Sequence, residues 1–293
     1  MVYGRPAIAV PVRQVRATAE VTDIRNADPG EVWIEAPNIK LSAWLHDLEP
    51  QHPIAFITKS TLDEIGARDF RALRIKITST IPAATGLGSS AAVSVAVLRA
   101  LSEHLDHPLD LNRQSQLAFE AEKIHHGTPS GIDNSVITYD RPLYFVRDHK
   151  METFSTGSRM TFIIGDSGEP SNTADVVGSV RAAMAEDPSR YNAIFDEIEH
   201  ICRQAREGIE RGDYRKLGPL MDQNQSLLEK LDVSSPTLER LIHVARTNGA
   251  LGAKLSGAGR GGNMIALIEP EMTGKVANAI QQAGATWTLT VEI

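Results

Sequence analysis

The sequence predicts an α+β protein built as two lobes, residues 1–157 and 158–293. Three observations carry this expectation. Alternating strand patterns interleave with helical ones over the first half, and from about residue 160 the texture changes to several consecutive helices framed by strands. The 293 residues exceed the ~150 typical of a single domain. No internal repeat, low-complexity tract or composition-marked linker separates the halves.

The elements follow in order. Gly4-Arg5-Pro6 reads as a turn into a first strand, "AIAVPV". "VRATAEVTDI", "EVWIEA" and "RALRIKITST" read as strands by their period-two alternation. "HPIAFITKSTLDEIGA" is helical, with Ile54, Ile57, Leu62 and Ile65 at helical spacing. "SSAAVSVAVLRALSEHL" is apolar nearly all round until Arg99, as a buried central helix would be. "LNRQSQLAFEAEKIHH" is a second long helix, and "NSVITY", "PLYFV" and "METFS" are strand-like. "MTFIIGD" is a strand, and helices follow over 173–186, 189–211, 213–231 and 236–248. The third of these carries an apolar stripe of Leu217, Leu220, Met221, Leu227, Leu228 and Leu231, with Asn224 on the same face as a hydrogen-bonded core or cleft residue. "GAKLSGAG" and "NMIALIE" form two strands around a glycine-rich turn, and a helix and the strand "TWTLTVEI" finish the chain.

Bulk properties exclude several classes of function. The net charge of −7 argues against a nucleic-acid or membrane-surface binder. No apolar run approaches the ~18 residues of a membrane span, and no signal peptide is visible. The single cysteine, Cys202, allows no internal disulfide; it lies in a helical pattern and is expected to pack as a small hydrophobe. A cytoplasmic location is the simplest expectation. The oligomeric state stays open, a homodimer included.

Three segments carry chemistry. In "IPAATGLGSSAAVSVAVL" a strand ends near Thr80, a Pro/Gly loop follows and a small-residue helix starts near Ser89. Gly86 and Gly88, flanking Leu87, let backbone approach a ligand closely. The N–H groups of the helix start favour an anion. Ser89 and Ser90 fit two roles, a helix cap or a reach to a phosphate-bound metal. The terminal Lys-Ser/Thr of a Walker loop is absent. A tight turn with a serine cap is the alternative.

In "EAEKIHHGTPSGIDNSV", Glu122 sits near the end of a helix, where an acid gains nothing from the dipole. That favours a use such as a Mg²⁺ ligand. Asp133 ends a turn-rich loop, placed to accept or orient a hydroxyl proton in phosphoryl transfer; a surface loop with an Asx turn fits the same residues. His125 and His126 lack further ligands at metal spacing and read as loop or core histidines.

"KLSGAGRGGNMIAL" holds four glycines among residues 257–263, entered from a strand. It fits a close backbone approach to a ligand or a hairpin turn. Lys254 and Arg260 at its edges are candidates to face phosphate.

These three segments, in this order, resemble the GHMP kinase superfamily: "TGLGSSAA" its phosphate-binding motif, "KLSGAGRGG" its C-terminal glycine motif. "HGTPSGIDNSV" resembles the mevalonate kinase branch, as do "GRPAIAVPV", "GDSGEPSNTADVVGSVR" and the long run ending in "KLSGAG". The resemblance implies a two-lobed fold, with a ribosomal-protein-like N-terminal lobe and a ferredoxin-like C-terminal lobe. It implies ATP and Mg²⁺ as cofactors and a small-molecule substrate, mevalonate, phosphorylated on its primary hydroxyl. Ser90 and Glu122 would hold Mg²⁺, and the backbone of Gly86, Leu87, Gly88 and Ser89 would cradle phosphates. Asp133 would be catalytic. Thr173, Gly257, Ala258 and Gly259 would bind substrate, with Gly261 closing nearby.

Two departures stand out. Arg260 and Asn263 replace the glycine and the small residue common in the family, and Arg260 is a candidate for an added phosphate contact. The family also enters its fold with a lysine-bearing strand and "GEHAVVYG", whereas this sequence starts at "MVYG". The expectation drawn from that is an N-terminally shortened kinase, inactive or nearly so.

Overall fold

The computed structural model describes residues 4–82, 86–126, 129–146 and 151–293, with backbone alone at 125 and 126. Met1, on which the expectation of a shortened start rests, lies outside them. Strand β1 (Ala7–Ala9) opens the described chain. Two compact units follow from the contacts: Val15–Asp140, and a second made of Met1–Gln14 with Arg141–Ile293. These bounds differ from the lobes 1–157 and 158–293. The reason is long-range strand pairing: β1 pairs with a strand at Leu143–Phe145, a relation that no local pattern announces.

The unit Val15–Asp140 holds β2 (Ala17–Asp23), β3 (Val32–Ala36) and β4 (Leu41–Trp44). Helix α1 (Pro53–Glu64) and strand β5 (Leu73–Ser79) come next, followed by α2 (Ser89–His104), α3 (Leu111–His126) and α4 (Ile132–Tyr139). The sheet order is β2-β5-β3-β4, antiparallel except for the parallel pair β3–β5. Alternation along β5 sends Leu73, Ile75 and Ile77 inward and Arg74 and Lys76 outward. The inward set packs with Val95, Leu98 and Leu101 of α2, Ile54 and Ile57 of α1, and Leu117 and Ala121 of α3. Helix α2 is the buried central helix that its composition predicts.

"NSVITY" is a helix, not a strand, and the correction has a local and a tertiary cause. Gly131 takes a left-handed conformation (φ 85°) as the N-cap and Asp140 closes the helix in the same region. Asn134 then donates from Nδ2 to the Ser115 carbonyl and Oγ on α3, both at 3.0 Å. Packing on α3 outweighs the β-propensity of Val136, Ile137 and Thr138. Strand β4 went unread because its four residues are too short to show a period.

The second unit continues with β6 (Leu143–Phe145), β7 (Glu152–Thr153) and β8 (Thr161–Asp166). Four helices follow: α5 (Thr173–Glu186), α6 (Pro188–Arg211), α7 (Tyr214–Lys230) and α8 (Pro236–Thr247). Strands β9 (Gly252–Ser256) and β10 (Asn263–Ile268), helix α9 (Thr273–Gln282) and β11 (Thr288–Glu292) complete it. The main sheet is antiparallel, ordered β11-β8-β10-β9, the ferredoxin-like arrangement in which the first and third strands lie centrally. Its two faces bury different cores. Ile163, Met264 and Ala266 pack with α5, α6 and α8, while Phe162 and Leu267 pack with Ile209, Leu217 and Met221 and with Ile8 and Tyr144 of the small β1-β6-β7 sheet. Cys202 is buried in α6, and burial pushes its thiol up to about 11.

Candidate active site

The loop after β5 starts from a tightly held strand end. Thr80 donates its N–H to the Arg16 carbonyl at 2.9 Å. On the other side Asn38 makes two reciprocal bonds with Ser79, Nδ2 to its carbonyl (3.1 Å) and Oδ1 from its N–H (3.0 Å). Residues 83–85 lie outside the described part. Gly86 and Gly88 both adopt left-handed φ, 68° and 67°, and Leu87 between them is half-buried. Gly88 is the N-cap of α2 and no side chain caps it. Ser89 and Ser90 are therefore the first two helical residues, not caps. Gly88 has no side chain with which to cap the first N–H groups of α2, and a helix start favours an anion.

Helix α2 packs against both α3 and α4. Glu122, on the last turns of α3, is only 4% exposed. Asp133 is exposed, in the first turn of α4, where the helix dipole favours negative charge. This is a helix start rather than an Asx-turn loop. A Cβ added to Gly88 would lie 3.4 Å from the Cβ of Asp133, so the start of α2 runs close beside the acid of α4. Arg99 braces the arrangement, donating to the Thr138 carbonyl of α4 and to Gln114 of α3. Gly127 and Thr128, and the side chains of His125 and His126, lie outside the described part.

The other residues singled out fall in the second unit. Thr173 is the exposed first residue of α5, directly after the N-cap Asn172, whose Oδ1 accepts from the N–H groups of Ala174 and Asp175. The β9–β10 connection is both a hairpin turn and a close backbone approach. Arg260 donates its N–H to the Val233 carbonyl at 2.7 Å, and Gly262 donates to the Glu169 carbonyl at 2.9 Å. A Cβ on Gly259 would stand 2.0 Å from the Val233 oxygen, and one on Gly261 2.6 Å from the Glu169 oxygen. Gly257, exposed, and Ala258, half-buried, form the outer part of the turn.

Arg260 and Lys254 are placed differently from the phosphate-facing role considered for them. The Arg260 guanidinium binds Asp232, through its carbonyl (2.8 Å) and its carboxylate (2.9 Å). Lys254 lies on β9 and donates from Nζ to the Leu255 carbonyl at 2.5 Å; burial lowers its ammonium to about 8. On α7 the buried hydrogen-bonding residue is Gln225, 0% exposed, which accepts from the Leu255 N–H and donates to Ser234. Asn224, the residue picked from the pattern, is half-buried.

Ser90 and Glu122 fit Mg²⁺ by chemistry: both offer hard oxygen donors, and a carboxylate as buried as Glu122 is a form that pairs or binds a metal. Among the described residues no group of three or more His, Cys, Asp or Glu could hold a metal. A site completed by phosphate oxygens needs few protein ligands, so the two observations agree. No helix among the described residues is long and apolar enough to cross a membrane.

Comparison with known proteins defines the class. The GHMP kinases N terminal domain matches residues 54–141 and GHMP kinases C terminal matches 205–286. The chain belongs to the GHMP kinases. Within that family it is 33% identical to the mevalonate kinase of Pyrococcus abyssi, over 99% of this chain and 90% of that protein. A crystal structure of L. major mevalonate kinase in complex with R-mevalonate superposes with a TM-score of 0.85 at 28% identity, covering 100% of this chain and 90% of that one. The Methanococcus jannaschii mevalonate kinase structure gives 0.83 at 25% identity, covering 99% and 92%.

Sequence reading missed Asn38 and Glu169. Asn38 sits in a three-residue 3-10 turn after β3, where no local period or motif singles it out. Glu169 had only its place in a Gly/Pro-rich loop before a helix.

Proposed function

We propose that this protein transfers the terminal phosphoryl group of ATP to the primary hydroxyl of mevalonate, giving 5-phosphomevalonate and ADP. The observation that carries the reading is the 33% identity to a mevalonate kinase along 99% of the chain. The local geometry supports it. Backbone N–H groups at Gly86, Leu87, Gly88 and Ser89 cradle the phosphates, favoured by the start of α2. The Oγ of Ser90 and the carboxylate of Glu122 would hold Mg²⁺. When bound, Mg²⁺ offsets negative charge on the phosphate oxygens during transfer.

Asp133 orients the substrate hydroxyl and accepts its proton as the new O–P bond forms. The bond from the γ-phosphorus to its bridging oxygen breaks, and that electron pair leaves on ADP. Such a transfer depends mostly on positioning and electrostatics, which suits residues fixed by backbone geometry. Thr173 and the turn Gly257-Ala258-Gly259 bind the hydroxy acid. A coupled ADP-release assay across mevalonate, phosphomevalonate, homoserine and galactose tests the reading. Mevalonate should be turned over best by a wide margin; equal or better turnover of another member would assign a sister kinase instead.

A further inference from the structure

Glu169 stands where three segments of the second unit meet, and each of its polar groups is used. Its backbone carbonyl accepts the Gly262 N–H at 2.9 Å. Its two carboxylate oxygens accept separately, one from Ser235 Oγ and one from Thr237 Oγ1, both at 2.7 Å. Ser235 is also the N-cap of α8, its Oγ accepting from the Leu238 N–H. One residue thus ties the loop before α5 to the start of α8 and to the glycine turn.

The turn itself is held between two carbonyls. The Glu169 oxygen closes on Gly261 and Gly262, and the Val233 oxygen, just before Ser235, closes on Gly259 and Arg260. On the same side Ser171 Oγ donates to the Gly259 carbonyl at 2.5 Å. The α7–α8 connection therefore forms one wall of the turn and the loop before α5 the other. Only the Glu169 carboxylate joins the two walls by side-chain hydrogen bonds among those described.

We propose that Glu169 is a positioning residue: its carboxylate clamps Ser235 and Thr237 and so fixes the spacing between the walls, and with it the Gly257–Gly259 turn and the Thr173 end of α5. This rests on the reading that Thr173 and the turn bind the hydroxy acid. The carboxylate suits the task because two hydroxyl donors converge on it at the start of α8, and hydrogen bonds to an ionised acceptor are about twice as strong as neutral ones. The hydroxyls hold the Glu169 carboxyl below the usual carboxylate range, with Arg240 of α8 adding to the effect. An alanine here leaves Ser235 and Thr237 without their acceptor while retaining the backbone bond to Gly262.

The test compares wild type, Glu169→Ala and Glu169→Gln in the full chain, with two measurements. In steady-state kinetics, Glu169→Ala should raise KM for mevalonate ~10-fold, as expected for losing charge-assisted bonds, while KM for ATP stays within about twofold of wild type. Glu169→Gln keeps one acceptor and offers the other hydroxyl a donor, so it should recover most of that loss. In amide hydrogen exchange, Glu169→Ala should exchange faster at residues 235–238 and 259–262, with β8 and α9 unchanged. An unaltered mevalonate KM in an active enzyme, or a parallel rise in both KM values, overturns the proposal. So does unchanged exchange at 235–238 and 259–262. If wild type does not phosphorylate mevalonate, the functional reading fails and the exchange measurement alone decides the clamp.

Discussion

A Cβ placed on Gly88 would lie 3.4 Å from the Cβ of Asp133 and 3.1 Å from Cδ1 of Ile137. The last glycine before α2 thus lies against the helix that carries the candidate base; a methyl at 88 would press on the flexible end of Ile137 and meet Asp133 only at ordinary van der Waals distance.

Gly88→Ala should therefore act mainly on stability, and on Asp133 only through Ile137. The residue has φ 67°, so alanine carries a left-handed cost of ~1–2 kcal/mol. Any shift that Ile137 passes on to Asp133 should lower kcat, by ~10²-fold for a full ~1 Å misplacement. Denaturant unfolding and initial-rate kinetics check the two effects. A variant that is destabilised but keeps kcat would separate this contact from the positioning of the acid.

Asp133→Asn keeps the shape and removes the charge. Turnover should fall by ~10²–10⁴-fold, the usual cost of losing a general base. Nucleotide affinity should survive, because in the proposed function backbone groups at 86–89 carry it. Glu122→Gln should instead raise the Mg²⁺ concentration needed for half-maximal rate. Calorimetric titration with an ATP analogue, alongside a Mg²⁺ titration of the rate, distinguishes these variants. Near-normal turnover in Asp133→Asn would pass the role to another residue.

The glycine turn offers a paired comparison. Gly257 and Gly259 have similar φ, 95° and 91°. An added Cβ at 257 meets nothing within 4 Å, whereas at 259 it meets the Val233 oxygen at 2.0 Å. Gly257→Ala should cost only the backbone strain of ~1–2 kcal/mol, and Gly259→Ala clearly more, since a rigid carbonyl must move. Equal costs measured by urea unfolding would mean that the Val233 wall yields freely.

Lys254 supplies a pH test. Burial lowers its ammonium from 10.5 to about 8, with Cys202 acting in the opposite direction. Between these values the unfolded chain holds a proton that the folded chain lacks, so this residue's contribution to stability rises with pH. Below about 8 the buried charge is a full burden. Lys254→Met should therefore gain most over wild type near pH 7, and the gain should shrink steadily toward pH 9. Burial pushes the Cys202 thiol up to about 11, so it stays protonated in both folded proteins over this range and adds little to the difference. Thermal melts across that range check it, and a gain independent of pH would show that the lysine does not titrate there.

Much of the candidate site was readable along the chain because its chemistry lies in short contiguous stretches. Gly86, Gly88 and Ser90 mark a loop entering a helix, and the glycines at 257–262 mark a turn, since left-handed φ at those places demands glycine whatever surrounds them. The serine cap was misread because Gly88 takes the cap position itself. Arg260 was a candidate to face phosphate from its place at the edge of the glycine motif, and Asp232, lying 28 positions away, binds its guanidinium. On α7 the period placed Asn224 on the apolar face, but a hydrogen bond to the Leu255 N–H on the neighbouring strand selects Gln225 for burial.

The linear order of residues was enough to establish the strands β2, β3, β5 and β8, the helices α1 to α3 and α5 to α9, and the glycine-dependent turns, because period and backbone permissiveness are local properties. Folding alone settled that "NSVITY" is a helix bearing Asp133 at its start, since Asn134 finds its partners on α3 and not on a strand. Folding also settled that residues 7–9 and 143–145 share a sheet, and that Glu169 stands between Ser235 and Thr237. In each case the deciding interaction joins residues far apart in the chain, and its energy exists only once both have been brought together.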